Sequence, residues 1–194
     1  MDNEVPGLQA LRVGGTRHQN LLVTLEPADE QNVDLLIQWT LDPVVQGPYK
    51  RVPAMTAKEL RSLFLHSPDR LYFLIRRASD GHPLGRFYYR AWRFGGEAGT
   101  IDWELNLLIA DPKERGKGYG TAAQQLMADY LLTRPETRSV FAYTYATNVA
   151  ERRALEKAGL TELGPLPHPH YRIETPTEPC ILYAKLKDCD VSSG

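Results

Sequence analysis

At 194 residues the chain is long enough to bury a core and short enough to form one domain. Its 23 basic and 24 acidic residues leave a net charge of −1, which offers no electrostatic footprint for nucleic acid or an anionic membrane. No apolar run approaches the ~20 residues of a membrane-spanning helix, and neither Cys180 nor Cys189 stands at metal-ligand spacing, which excludes a helical membrane protein, a disulfide scaffold and a zinc module.

The polar stretch Met1 to Gln19 has no apolar core for a signal peptide, so the cytoplasm is the expected location. Residues 1–19 read as a flexible extension and 20–190 as the folded domain. Leu21 to Leu25 is a short strand. Asp29 can cap a helix whose apolar positions Val33, Leu36, Ile37 and Thr40 recur at helical spacing, and Asp42-Pro43 ends it. Thr56-Ala57-Lys58-Glu59 has capping-box spacing and opens a second helix through Leu60, Leu63 and Phe64, stopped before Pro68. Leu71 to Arg77, Leu84 to Trp92 and Ile101 to Ala110 then read as an antiparallel meander, with turns at Asp80-Gly81 and Gly95-Gly96-Glu97.

After Pro112 a glycine-rich loop leads into a helix over Thr121 to Leu132 with Ala123, Leu126, Met127 and Tyr130 on one face. Ser139 to Thr147 is a strand, and Val149 to Ala158 a helix closed by Gly159. Tyr171 to Ile173 and Cys180 to Leu186 fit a closing hairpin. The sum is a mixed α/β fold of about seven strands and four helices, antiparallel first and parallel at the strand–helix–strand crossover.

The loop Arg115-Gly116-Lys117-Gly118-Tyr119-Gly120 carries the chemistry. Its glycines let backbone approach an anion, and the first N–H groups of the following helix point at it. That suits a pyrophosphate, to which Arg115 and Lys117 add positive charge. A dinucleotide fingerprint starting at Gly116 needs glycine at 121, where Thr121 stands. No Walker motif occurs either, which disfavours ATP.

The segment Leu107-Leu108-Ile109-Ala110-Asp111-Pro112-Lys113-Glu114-Arg115-Gly116-Lys117-Gly118-Tyr119-Gly120 resembles the acyl-CoA signature of the GNAT superfamily. The likeness runs from Leu21 to Leu186. Leu25-Glu26-Pro27-Ala28 before a helix ending Gln38-Trp39, and Asn148 followed by Leu155-Glu156-Lys157-Ala158-Gly159-Leu160, are similar to the ribosomal-protein N-terminal alanine acetyltransferase branch. The resemblance implies acetyl-CoA as cosubstrate and an N-acetyltransferase that lets an amine attack directly in a ternary complex. It also implies roles for particular residues. Backbone of Leu108, Ile109 and Ala110 would hold the pantetheine and acyl carbonyl, Arg115 to Thr121 (through Gly116, Lys117, Gly118, Tyr119 and Gly120) the pyrophosphate, and Asn148 the pantetheine.

Acyl transfer needs an unprotonated amine, and an amine of pKa near ~10.4 is mostly protonated at neutral pH, so a base helps. Alternation on the strand Ile101 to Ala110 puts Asp102, Glu104 and Asn106 on one face. Glu104 lies where many relatives carry a carboxylate base; the other reading of that face is a solvated sheet surface. The thiolate acid cannot be carried over. Many members place Tyr where Leu155 stands, beside the sulfur, and the ribosomal branch often has Ser where Glu151 stands. Tyr143, Tyr145 and Tyr171 remain open for that role. His168-Pro169-His170 reads as a surface loop, and no metal is expected.

The expected acceptor is a primary amine of a small molecule, an antibiotic or a protein N-terminus, bound between residues 41–54, 93–99 and 164–179. Neither nucleic acid nor membrane is an expected partner, and the chain is expected as a monomer or homodimer. A non-catalytic acyl-CoA-binding module is the alternative.

Overall fold

The computed structural model describes residues 16–92, 99–166 and 179–187. Strands β1 (His18–Gln19) and β2 (Val23–Pro27) lead to helix α1 (Val33–Leu41), the one-turn helix α2 (Pro43–Gln46) and helix α3 (Ala57–His66). Strands β3 (Arg70–Arg77), β4 (Pro83–Trp92) and β5 (Ile101–Ile109) form the meander. A 3-10 turn at Pro112–Glu114 precedes helix α4 (Tyr119–Leu132), strand β6 (Thr137–Tyr145), helix α5 (Val149–Lys157) and strands β7 (Thr161–Pro165) and β8 (Cys180–Leu186).

Local chemistry explains most of these boundaries. The Asp29 carboxylate accepts the N–H groups of Gln31 and Asn32, so it holds a turn just ahead of α1 and does not itself cap the helix. All of Val33, Leu36, Ile37 and Thr40 are buried, as their spacing requires. Asp42 ends α1 and also opens α2: Pro43 is the first helical residue, and the Asp42 side chain accepts from Val44 and Val45. Thr56 and Glu59 form the full capping box of α3.

Eight strands make one sheet in the order β1-β2-β3-β4-β5-β6-β8-β7. Only β5 and β6 pair in parallel, across the α4 crossover. The mixed α/β architecture is as expected, with eight strands where about seven were counted and five α-helices among the described residues where four were. The uncounted elements give no periodic signal: β1 has two residues, α2 is a single turn, and β7 is a mostly exposed Thr-Glu-Leu-Gly-Pro run. The expected strand at Tyr171 to Ile173 lies outside the described residues; β8 pairs with β6 on one side and β7 on the other. Of the expected extension only its last residues are described, and His18–Gln19 pair with β2.

Two apolar clusters sandwich the sheet. Trp103, Leu105 and Leu107 of β5 face one cluster with Phe87 of β4, Met127 and Leu131 of α4 and Leu155 of α5. On the opposite face Val33, Leu36 and Ile37 of α1 and Leu60 and Phe64 of α3 close over Tyr72 and Leu74 of β3. The second cluster covers only the β3 side of that face. Where it stops, most alternate residues of β4, β5 and β6 are polar and partly or wholly buried, and the candidate site lies there.

Candidate active site

The site begins with a failure of pairing. Strand β5 bonds β6 only from Ile101 to Glu104, where Glu104 stands opposite Phe141. Beyond that point β5 runs on to Ile109 and β6 to Tyr145 without meeting, which leaves a gap between them. On its other edge β5 stays paired with β4 as far as Ile109 opposite Gly85. Gly85 is needed there: a Cβ would sit 1.9 Å from Leu108 O, so any side chain would push the strands apart. The Ala110 N–H donates to Leu84 O on that β4 side. By strand alternation the backbone groups of Ile109, the residue before, point into the gap. Within the expected pantetheine-binding trio, Ala110 N–H is bonded to β4 and the Ile109 carbonyl to Arg115, while the Ile109 N–H faces the opening.

At the end of β5 the chain passes through the 3-10 turn into the glycine loop. Gly116 and Gly118 have φ of 75° and 87°, the left-handed region open to glycine at little cost. Gly118 is the N-cap of α4 and offers no side-chain cap. The first bond of the helix runs from Ala122 N–H to Gly118 O, so the N–H groups of Tyr119, Gly120 and Thr121 have no partner within it. A helix N-terminus of this kind can receive an anion through backbone and dipole.

Arg115 has a bracing role that its sequence context does not announce. Its Nε donates to Ile109 O at 3.0 Å and its Nη2 to Val45 O at 3.0 Å, which staples the end of β5 to α2. Lys117 is half-exposed and pairs with Glu114 at 3.1 Å, and Glu114 also pairs with Arg77 at 3.0 Å. Asn148 caps α5: its Oδ1 accepts the Glu151 N–H at 3.4 Å while Nδ2 donates to Thr144 Oγ1 at 3.1 Å. An amide carries two N–H donors, so one remains for a ligand.

The polar triad of β5 separates into three fates. Asp102 accepts Nε of Arg138 at 2.9 Å and the Ser139 hydroxyl, a structural pair between adjacent strands. Glu104 is 2% exposed and has no such ion pair. Trp92 Nε1 donates to its Oε2 at 2.6 Å and the Tyr88 hydroxyl to its Oε1 at 3.4 Å. Burial pushes the Glu104 carboxyl above the usual carboxylate range, against the pull of those donors and of Arg90 and Arg70. A carboxylate so raised moves towards the pKa of a useful base at neutral pH. The solvated-surface reading of this face is thereby overturned. Asn106 accepts Lys50 Nζ at 2.8 Å.

Lys50 was not legible as a site residue. It comes from the loop after α2, which crosses the gap: Tyr49 donates to Thr147 O at 3.2 Å and its ring lies 6.0 Å from that of Tyr145. Burial lowers the Lys50 ammonium to about 8, with Arg86 adding to the fall and Glu151 and Glu104 opposing it. Glu151 in turn is raised by burial and accepts Gln124 Nε2. Leu155 is fully buried in the core, so position 155 does not face the gap as the resemblance implied. Of the tyrosines left open for the thiolate, Tyr143 and Tyr145 lie on β6 at the gap, and burial raises Tyr143 well above the usual phenol range. Tyr171, His168, His170 and Cys189 lie outside the described residues, as do most of the expected acceptor-binding segments 93–99 and 164–179. Among the described residues no group of three His, Cys, Asp or Glu could hold a metal, and no helix is long and apolar enough to cross a membrane.

Comparison with known proteins agrees with this geometry. A search among curated proteins finds no match. Among solved structures, an aminoglycoside acetyltransferase, AAC(6')-Ib, in complex with coenzyme A and kanamycin superposes with a TM-score of 0.67 at 20% identity over 85% of this chain and 95% of its own. Spermidine N-acetyltransferase from Vibrio cholerae in complex with CoA and spermine gives 0.68 at 16% identity over 87% and 97%. A GNAT-family acetyltransferase from Bacillus anthracis gives 0.66 at 18% over 89% and 99%. These likenesses share the fold. The sequence profile described as acetyltransferase (GNAT) domain matches residues 22–161, most of the chain, and the protein therefore belongs to the GNAT family of acyl-CoA-dependent N-acyltransferases.

Proposed function

We propose that the protein transfers an acetyl group from acetyl-CoA to a primary amine held on the Glu104 face of β5. The observation that carries this is the juxtaposition of the β5–β6 gap, the open N-terminus of α4 and a buried carboxylate with a raised pKa on one strand. Backbone of Leu108, Ile109 and Ala110 lines the pantetheine channel, with Ile109 turned into the gap. The pyrophosphate sits on the loop from Arg115 to Thr121. Backbone N–H groups of Tyr119, Gly120 and Thr121 supply most of the contact, Gly116 and Gly118 the turn, Lys117 a mobile charge, and Arg115 the bracing. Asn148 meets the pantetheine through its remaining N–H.

Acetyl-CoA then presents its thioester carbonyl beside Glu104. The carboxylate takes a proton from the ammonium, directly or through water, and the free amine attacks the carbonyl carbon. The C–N bond forms first. The C–S bond then breaks with its electron pair leaving on sulfur, and the proton lost by the attacking nitrogen ends on the thiolate, which leaves as free CoA thiol. A backbone N–H in the gap stabilises the oxyanion.

The neighbours acting on an aminoglycoside and on spermidine suggest small amines as acceptors. The similarity to the ribosomal-protein branch suggests a protein N-terminus instead. The deciding experiment is an amine and peptide panel scored by release of free CoA thiol. Turnover with any amine supports the reading. Tight acetyl-CoA binding with no turnover across the panel would favour the non-catalytic module.

A further inference from the structure

The face that carries Glu104 also carries a cation with no counter-charge among the described residues. Arg86 on β4 is 8% exposed, yet among the described residues it makes no hydrogen bond or ion pair, and its Nε is buried without a partner. A guanidinium taken from water without an anion is costly and persists where a partner arrives from elsewhere. Among the described residues no carboxylate stands against it. Arg86 pairs in register with Leu108, and the next pair on the same face is Tyr88 with Asn106. Asn106 is therefore its diagonal neighbour across the strands, within reach of a long side chain. Asn106 holds Lys50 Nζ, which likewise makes no ion pair among the described residues. The other arginines of this face are provided for: Asp69 accepts Arg90 Nε at 2.7 Å and Arg70 Nε at 3.0 Å.

We propose that Arg86 and Lys50 form a subsite for a carboxylate, and that the acceptor is an amine that also carries an acidic group. The proposal rests on the acetyltransferase reading and narrows its substrate class. A planar guanidinium matches a carboxylate through two parallel N–H bonds, and Lys50 adds a point charge. Two side chains, from β4 and from the loop after α2, thus anchor the acid while the amine lies along β5 towards Glu104, two residues from Asn106. Such a site discriminates against polyamines and other acceptors that carry only positive charge, because these would leave Arg86 unpaired and add repulsion.

The test pairs each aliphatic amino acid, β-alanine and γ-aminobutyrate among them, with its amide or its decarboxylated amine. Binding is measured by calorimetry in the presence of CoA, and turnover by thiol release with acetyl-CoA. The acids are expected to bind more tightly than their neutral partners, and Arg86→Met to abolish that preference by roughly 10- to 100-fold. Acetyl-CoA affinity should stay within about threefold in the variant. Removing an unpaired buried charge should also leave the thermal midpoint unchanged or higher. Acid-selective binding that Arg86→Met removes, without any turnover, upholds the subsite while failing the acetyltransferase reading. Turnover of neutral amines as readily as of their acids, no acid binding more tightly than its partner, or a large fall in stability in Arg86→Met would each overturn the subsite.

Discussion

Glu104 and Asp102 show how much one residue's surroundings decide. They lie on the same strand, on the same face, and are both 2% exposed. Asp102 meets Arg138 and Ser139, which tie it between strands. Glu104 meets a Trp and a Tyr, so burial wins and its carboxyl is raised. Glu104→Gln should therefore keep its acetyl-CoA affinity and lose roughly 10²- to 10⁴-fold in kcat, because it keeps the shape and loses the base. The acidic limb of the pH–rate profile should vanish with it. Tyr88, Trp92, Arg90, Arg70 and Tyr143 face Glu104 from neighbouring elements, and Lys50, whose ammonium is lowered to about 8, acts on it from the loop after α2. The alkaline limb therefore belongs to Lys50 and the acidic limb to Glu104. The sign for stability follows from the same shift. With the folded pKa above the unfolded one, charge on Glu104 costs nothing below the unfolded value and destabilises as pH rises through the folded value. Denaturation of Glu104→Gln at neutral pH should show no loss relative to the parent. Activity within about threefold of the parent at pH 7 would leave Glu104 a structural acceptor for Trp92.

Helix α4 works at its first turn. Gly118 at φ 87° ends the loop and leaves the helix uncapped by any side chain, so a ligand is the natural cap. A Cβ at 118 would meet only Leu22 Cδ1, at 3.9 Å, so the cost of a side chain is in the backbone. Gly118→Val should fold with a loss of roughly 1–2 kcal/mol, the strain of a left-handed non-glycine residue. In the proposed site the branched side chain would stand in the path of the pyrophosphate, and calorimetry should show acetyl-CoA affinity down by at least about tenfold, the loss of one or more charge-assisted bonds. Unchanged affinity would remove the loop from the cofactor reading.

Across the whole molecule the sheet divides labour between its faces. One is dry from β2 to β8, and Leu155 of α5 is sealed into it beside α4. Leu155→Tyr should therefore lower stability by about 1–3 kcal/mol through overpacking, with a thermal midpoint lower by roughly 2–10 °C, and bring no gain in turnover. A rise in kcat with unchanged stability would show that position 155 does reach the sulfur. The opposite face is dry only under α1 and α3, and beyond their edge the buried polar groups of β4, β5 and β6 collect around the gap.

What the sequence determined by itself is what depends on near neighbours along the chain. The capping box at Thr56, the left-handed Gly118 and Gly159, the burial stripe of α1 and the shared face of Asp102, Glu104 and Asn106 all follow from spacings of a few residues. The glycine loop was legible for the same reason, since a helix N-terminus preceded by glycines is a local object. The rest was decided by register and packing. Nothing near Asp102 in sequence announces Arg138, thirty-six positions away, and nothing near Arg86 announces that no acid among the described residues reaches it. Arg115 reads in sequence as a phosphate ligand, and only the fold adds the carbonyls of Ile109 and Val45 to its partners. Lys50 sits in a loop without periodicity, and only the parting of β5 from β6 gives it Asn106 to hold. Long side chains take their partners from whichever strand lies alongside, and that order is settled by burying the apolar faces of the whole sheet at once.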